Sequence, residues 1–515
     1  MNSVRNMIFI FLAIAPSAFA QFPGAASPAS TGASSAMILP ASGRNNETGS
    51  VSAPEQPVPG TTTSVNTLNT SVQISGPFSG STPSTTDMPF SGKLSLADAL
   101  RRGLAHNMGP VGLKQTVRQN RAQIASARAA LLPNLSGSFS ETVEQIDLAT
   151  FGFRFAVPGF RIPAVVGPFN YYTLQATLSQ TIANLTEINN YRAARATARA
   201  SQYSLEDARD LVTLAVGGAY LQTLAAQARL DAAQAQLDTA NAVFHQSTEQ
   251  HEQGVLGRLS VDQNQVRSLT QQQQLITLRN DLAKQKINLA RLTGLAPNAD
   301  YQLADSFPFS PAPLQGVEDA IAQAGRQRSD LKAAEAQVQG AARALSAARA
   351  ERLPSVGVSA EYELIGTNPA RSNQAYSAVG TVSIPIWQGG RVGSDIAQAE
   401  AVLAQRQAEL QDTRGQIEAE VRQVFLDLEA AAGQVEVART NLRVAQETLE
   451  MTRARMEAGV VNALEVVQAQ QTVASAQLDL IDSIFAHNLA KLSLARTLGH
   501  AAEQLPRLLK PQTGP

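Results

Sequence analysis

The chain has 515 residues, with 41 basic and 42 acidic side chains, a formal net charge of −1 and no cysteine. That balance, with no Lys/Arg-rich run, excludes a nucleic-acid-binding surface. The missing cysteine excludes disulfides, thiolate metal sites, cysteine nucleophiles and a lipid-modified cysteine anchor.

Residues 1–20 read as a secretory signal, with Arg5 as the positive start, Met7 to Ala15 as the apolar core and Ala18-Phe19-Ala20 as the cleavage site before Gln21. About nine apolar residues are too few to cross roughly 30 Å of hydrocarbon. No later stretch approaches 18 consecutive apolar residues, so no membrane-spanning helix is expected. An exported chain can still enter a membrane as a closed β-barrel. Residues 21–93 are dominated by Ser, Thr, Pro, Gly, Ala and Asn, and are expected to form a disordered leader.

The rest of the chain is written twice. Leu96-Ala97-Asp98-Ala99-Leu100 returns as Val317-Glu318-Asp319-Ala320-Ile321, and Leu132-Pro133-Asn134-Leu135 as Leu353-Pro354-Ser355-Val356, both shifted by 221 positions. Farther on, Gln253-Gly254-Val255-Leu256 matches Ala458-Gly459-Val460-Val461, and Thr293-Gly294 matches Leu498-Gly499, both shifted by 205. The first copy therefore carries 16 extra residues between those landmarks. The expected organisation is a first repeat at 94–294, a linker at 295–316, a second repeat at 317–499 and a C-terminal tail at 500–515.

Each repeat opens on helices. Ser95 suits the N-cap of a short helix from Leu96 to His106, with Asp98 in its first turn. After the Asn107-Met108-Gly109-Pro110 break a second helix runs to Leu132, where Pro133 stops it. Past the proline the period changes to 2. Val356, Val358, Ala360, Tyr362 and Leu364 alternate with Gly357, Ser359, Glu361 and Glu363. The return strand sets Tyr376, Ala378, Gly380, Val382, Ile384 and Ile386 against Ser377, Thr381 and Ser383. In the first copy Tyr172, Leu174, Ala176 and Leu178 alternate with Thr173, Gln175, Thr177 and Ser179.

Such strands of about ten residues, apolar on one face, suit a transmembrane barrel. A soluble sandwich strand alternates in the same way. Glu141 departs from the pattern by falling on the outward face, at the position that Tyr362 holds in the second copy. Four strands cannot close a barrel, so this reading requires an oligomer. The length difference falls at Ile146 to Tyr171, read as an exposed loop; its counterpart is Gly366 to Ala375.

Long helices follow. From Leu185 to Gln253 no proline occurs, and Leu205, Ala208, Val212, Ala215, Ala219, Ala226, Leu230, Ala233, Leu237, Ala240 and Phe244 lie in a seam of coiled-coil type, with Gln222 interrupting. The second copy repeats it with Leu403, Leu410, Thr413, Ile417, Val421, Val424, Leu428, Ala431, Val435, Ala438, Leu442, Ala445 and Leu449. Nearly 70 helical residues reach roughly 100 Å. Gly254 and Gly459 suit the left-handed position that ends each long helix, and Gly294 and Gly499 the ends of the return helices.

No active-site constellation stands out. His245 and His251 are six apart and do not share a helix face, so no metal site is expected. Gly92-Lys93-Leu94 lacks the spacing of a phosphate-binding loop. Neither a cofactor nor an enzymatic activity is expected.

With these features in hand, the chain resembles the TolC-type outer-membrane efflux and secretion channels over about Leu94 to Gly499. The resemblance rests on the duplicated plan, on the strand-to-helix passage Ile384-Pro385-Ile386-Trp387-Gln388-Gly389-Gly390-Arg391, and on the second tip, Gly459-Val460-Val461-Asn462-Ala463-Leu464-Glu465. It implies a mainly α fold in which duplicated long helical hairpins form a trimeric α-barrel. Each chain of the homotrimer would add four strands to a 12-stranded transmembrane β-barrel in outer-membrane lipid.

The resemblance also implies a passive exit duct. Its partners would be a periplasmic adaptor (membrane fusion protein) and, through it, a proton-driven or ATP-driven inner-membrane pump. Carried over by position, Gly254, Val255, Leu256, Gly459, Val460 and Val461 become adaptor-docking residues. At the periplasmic gate the chain departs from the best-known members: Ser260 replaces an acidic residue after the first tip, and Gln468 replaces one after the second, where Glu465 is kept. One ring of three Glu465 carboxylates is expected, with Arg258, Asp262 and Arg455 as substitutes in the closing network. The competing readings are an exported periplasmic coiled-coil adaptor or structural protein, and an exported enzyme.

Overall fold

The structure is a computed structural model that describes residues 51–52, 55–58, 67–70, 73–82, 90, 92–148, 150, 163–305, 309–311, 316–368, 370–458, 460–461 and 463–509. The signal segment, residues 21–50 of the leader, and Gly459 and Asn462 of the second tip lie outside the described residues.

Both repeats start with a short helix followed by a longer one. In the first, α1 (Leu96–His106) leads to α2 (Met108–Ala129); in the second, α5 (Val317–Gln327) leads to α6 (Ser329–Ala350). Ser95 accepts a hydrogen bond from the Asp98 amide at 3.1 Å, the N-cap that its sequence position predicts. A single residue breaks each helix pair: Asn107 (φ −62°, ψ 137°) and, 221 positions on, Arg328 (φ −61°, ψ 128°).

Four strands, β6 (Asn134–Asp147), β7 (Val165–Ala183), β9 (Ser355–Gly366) and β10 (Ser372–Ser383), form one antiparallel sheet in the order β10-β9-β7-β6. Residues directly opposite in an antiparallel pair share a face. Pairing of Tyr362 with Tyr376 and Ala176, and of Leu364 with Leu174, gathers the apolar sets on one side. The other face carries Ser136, Ser138, Gln175, Thr177, Glu361 and Glu363, with Phe169, Tyr171, Ile365, Ala375 and Val379 as apolar or aromatic exceptions.

Asn134 is level, through Ser179, with Ser359, four residues beyond its repeat counterpart Ser355. That stagger is the signature of tilted strands. Register keeps Glu141 on the apolar face, opposite Tyr172, where its carboxylate accepts from the Asn170 amide at 3.3 Å.

The hairpins differ from the expected loops. β6 continues to Asp147 and β7 resumes at Val165, so the loop is narrower than the expected Ile146–Tyr171. The second loop shrinks likewise to residues 367–371. Part of the first copy's extra length extends the strands, because backbone pairing continues past the point where side-chain alternation fades.

Below the sheet, α3 (Leu185–Glu252) has 68 residues and α7 (Arg391–Glu457) has 67, with return helices α4 (Arg258–Thr293) and α8 (Ala463–Leu498). In the α3 seam Ala208, Val212, Ala215, Ala219, Ala226, Ala233 and Ala240 are buried, as are Leu410, Ile417, Val421, Val424, Leu428 and Ala431 of α7, whereas the larger Leu205, Leu230, Leu237, Phe244, Leu403, Leu442 and Leu449, with Thr413, are only half-buried. Alanine knobs let the backbones approach closely. One stretch of α3 is apolar enough by composition to cross a membrane, but it is largely buried against neighbouring helices.

The leader and tail are more structured than their composition predicts. Residues β1 (Val51–Ser52) and β4 (Gln73–Ile74) pair, as do β2 (Glu55–Val58) and β3 (Thr67–Thr70). Phe78 is buried beneath α2, and Thr82 donates to the His106 carbonyl at 2.8 Å. β5 (Lys93–Leu94) pairs in parallel with β8 (Gln302–Leu303) of the inter-repeat segment. After His500 the tail continues as α9 (Ala501–Leu509), with Leu505 fully buried. These segments are too polar to build a core of their own, but a few apolar residues gain burial on a scaffold already in place.

Candidate functional site: helical tips, passage and buried junctions

At the first tip, α3 stops in a Schellman motif. Gly254 is left-handed (φ 78°), its amide donates to the His251 carbonyl at 2.9 Å, and the Val255 amide reaches back to the Gln250 carbonyl at 2.9 Å. These two bonds satisfy the last carbonyls of the helix. Nothing lies within 4 Å of a Cβ placed on Gly254, so the glycine serves backbone conformation alone. His251 Nδ1 lies 2.7 Å from the Leu256 carbonyl and steadies the turn. Val255 projects into solvent while Leu256 and Ser260 are half-buried.

The second tip keeps the same signature bond, Val460 amide to Arg455 carbonyl at 2.9 Å. Val460 is exposed, Val461 half-buried, and Glu465 and Gln468 are exposed on the first turns of α8. Arg258 and Asp262 face each other at 3.9 Å across one turn of α4, with both side chains mostly in solvent. A pair of that kind contributes little, about 0.3–0.5 kcal/mol.

At the opposite end of α7, β10 ends at Ser383, short of the expected Ile384 and Ile386, because Pro385 has no N–H for a ladder, and the passage exposes Ile384, Ile386 and Trp387. Pro385 lies between them in the segment that ends the strand pairing. Gly389 (φ 61°) and Gly390 (φ 84°) are consecutive left-handed residues that redirect the chain into α7. Arg391 fixes the corner by reaching Asp395 at 2.8 Å, Gln388 Oε1 at 2.9 Å and Glu351, just past α6, at 2.9 Å. An exposed Trp beside an apolar sheet face suits the interface between hydrocarbon and water.

Sequence reading missed the buried polar chemistry midway down the helices. Arg328 donates to both oxygens of Asp330 (3.1 and 2.6 Å) and also reaches Glu420 of α7. Arg496 of α8 pairs with Asp207 of α3 and approaches Asp330 at 3.8 Å. All five side chains are buried. Burial alone would raise Asp330, but the Arg328 and Arg496 guanidiniums hold its carboxyl down at about 2. Nearby, Asp210 is raised by burial despite Arg496, and its carboxylate accepts from the Ala501 amide at 2.8 Å. An aspartate inside an Ala-rich helical stretch, as at Asp207 and Asp210, is the sequence signal that could have found this cluster.

A second buried site pins the inter-repeat segment. Lys491 is fully buried and donates to Ser310, both to its carbonyl and to Oγ at 3.0 Å. Burial lowers its amine to about 8. His487, one turn away, is packed 5.0 Å from the Phe309 ring and lowered to about 4, by burial first and then by Lys491 and Arg439.

A hairpin-duplicated helical body under a one-sided apolar sheet defines a class: outer-membrane proteins that join a helical tunnel wall to barrel strands. The family model for outer membrane efflux proteins matches residues 113–295 and 320–500, so this chain belongs to the outer membrane efflux protein family. It is 26% identical over 232 residues to the outer membrane efflux protein BepC of Brucella suis, covering 42% of this chain and 51% of BepC. With the alkaline protease secretion protein AprF of Pseudomonas aeruginosa it shares 24% identity over 371 residues, 69% of this chain and 74% of AprF.

The match to BepC thus spans about half of that relative's length. The crystal structure of the outer membrane protein VceC from Vibrio cholerae superposes with a TM-score of 0.67 at 20% identity, covering 78% of this chain and 96% of VceC. That likeness shows the fold. Membership of that family places the protein in the outer membrane.

Proposed function

We propose that three copies of this chain assemble into a passive exit duct, the outer-membrane channel of a tripartite efflux or type I secretion system. One observation carries the reading: a four-stranded sheet with an apolar face, a small-polar and acidic face, and two unpaired edges, β6 and β10. A transmembrane barrel has to close its edges, and further copies of the same sheet supply the partners. The polar face then lines a water-filled lumen and the apolar face meets lipid. No step of the reading involves catalysis. Energy comes from an inner-membrane pump acting through an adaptor.

At the periplasmic end, the tips Gly254-Val255-Leu256 and Gly459-Val460-Val461 are the adaptor-docking elements in this reading. Exposed Val255 and Val460 supply apolar contacts that a free surface turn would not need. Three Glu465 side chains form a single acidic ring at the mouth, while Ser260 and Gln468 leave the other gate positions neutral. The assembly is tested by the mass of the detergent-solubilised protein and by conductance in planar bilayers. A trimer giving discrete conductance steps is expected; a monomer released from membranes by alkaline carbonate would overturn the reading. For the gate, Glu465→Gln is expected to reduce cation selectivity and weaken divalent block by several-fold. Unchanged selectivity and block would dispose of the ring.

A further inference from the structure

Arg192, Arg195 and Arg199 of α3 and Arg343 of α6 surround a cavity of about 410 Å³ whose remaining lining is Ala196, Gln339, Ala342 and Ser346. No carboxylate lines it. Among the described residues none of the four guanidiniums is in an ion pair, and Arg195 makes only a cation–π contact, 5.8 Å from the Tyr191 ring. The contrast is local. On nearby turns Arg349 is paired with Glu400, Arg391 with Asp395 and Arg414 with Glu335. Four uncompensated cations converging on one cavity repel one another, an arrangement that an anion relieves.

The floor of the cavity is built for close approach. α3 and α6 run antiparallel here, with the Asn189 amide 3.5 Å from the Ser346 carbonyl and Gly340 set against Ala196 and Thr197. Small residues bring the two backbones together, so guanidiniums from both helices reach a shared space. Arg192, Arg195, Arg199 and Arg343 are all exposed, so the cavity opens to the outside between α3 and α6. Its upper end, Arg192, lies seven residues, about 10 Å, into α3, the helix that follows β7. In the proposed duct, on which the lipid arm of the test rests, a long arginine there extends towards the lipid headgroup layer, which is roughly 5–8 Å thick.

We infer that the α3/α6 groove formed by Arg192, Arg195, Arg199 and Arg343 is a binding site for a phosphate-type oxyanion, either a phospholipid headgroup or a free phosphate. Planar guanidiniums match phosphate oxygens in bidentate geometry, and the Gln339 amide adds a neutral donor. The cavity is large enough for a headgroup-sized ligand.

The test uses the full chain, purified in detergent, as wild type, as an Arg192→Gln/Arg343→Gln double variant and as an Arg443→Gln/Arg453→Gln variant with the same charge change elsewhere. One arm measures retention of phosphatidylglycerol against phosphatidylcholine by native mass spectrometry. The other titrates inorganic phosphate and pyrophosphate by calorimetry at two salt concentrations. Tenfold or greater loss of binding in the groove variant, with the control variant unaffected and circular dichroism unchanged, is the expected result. Loss in the lipid arm alone identifies the headgroup as ligand, and loss in the phosphate arm alone identifies the free ion. Binding by neither probe in the wild type, or equal binding by groove and control variants, would overturn the proposal. An Arg192→Lys/Arg343→Lys variant guards against misfolding: it keeps the charge and is expected to retain part of the affinity.

Discussion

The two repeats place the same backbone break at Asn107 and Arg328, yet hold it with opposite chemistry. At the first, the Asn107 side chain is fully buried, accepts from the Gly109 amide at 2.9 Å and donates to the Phe78 carbonyl at 2.7 Å. The leader supplies the filling, with Phe78 packed where a Cβ on Gly109 would sit 2.5 Å from its ring. At the second, Asp330 stands at the position of Gly109, Glu420 at that of Ala215, and a buried guanidinium joins them. Duplication fixed the shape of the junction, and each copy then found its own way to satisfy the same buried polar backbone.

Breaking the charged junction is expected to cost most. Arg328→Ala leaves Asp330 and Glu420 buried without their main partner, a loss of about 3–5 kcal/mol by denaturant titration. An Arg328→Met/Asp330→Ala/Glu420→Leu variant removes the unpaired charges together and is expected to recover most of that loss. Additive losses instead would show that the charges act independently.

At the neutral junction Phe78→Ala is expected to cost about 3 kcal/mol. The loss should appear as faster amide exchange at residues 76–82 and 107–110, with the Arg328 side unaffected. Uniform destabilisation would contradict two separate junctions.

The linker contacts offer a further pair. Lys286 donates to the Tyr301 carbonyl at 3.1 Å, and 205 positions on Lys491 holds Ser310. Buried Leu282 of the first repeat corresponds to His487 of the second. His487 is lowered to about 4 in the folded protein against an ordinary value of 6.5, so its contribution is intact above pH 6.5 and is lost as the pH falls towards 4. Between pH 6.5 and 5 the loss is about 1.5 kcal/mol. His487→Leu should flatten that part of the stability profile, and an unchanged slope would assign the acid sensitivity elsewhere.

Gly109→Ala completes the comparison with about 1–2 kcal/mol, an overpacking cost against Phe78 that Phe78→Leu should relieve. Failure of that rescue would mean the glycine is needed for another reason.

Much of this architecture was legible in the sequence because it is periodic. Alternation around Tyr362 gave the register face, 3/4 spacing gave the Ala208–Ala240 seam, and paired glycines marked both tips. What was not legible depends on residues brought together from far apart. Arg328 reads as a surface residue until Asp330, Glu420 and Arg496 enclose it. Phe78 sits in a polar leader, and its burial depends on helices beginning twenty and more residues later. Arg192, Arg195 and Arg199 read as a solvated helix face, and only the approach of Arg343 turns them into one side of a cavity. Glu141 kept its predicted face, and its tolerance there comes from Asn170 and Tyr172 across the strand.

The unpaired edges of the sheet carry a consequence for how much protein is needed before any of it works. A single copy presents the free backbone groups of β6 and β10, which neither lipid nor a short hairpin can satisfy. If three copies close one barrel as proposed, a lone copy below a threshold concentration is held out of the bilayer with a sticky ribbon at its end. Assembly in that case rises steeply with the amount of chain present, because each copy needs others to close its edges. Expression level, as much as sequence, would then decide between a closed barrel and an aggregate.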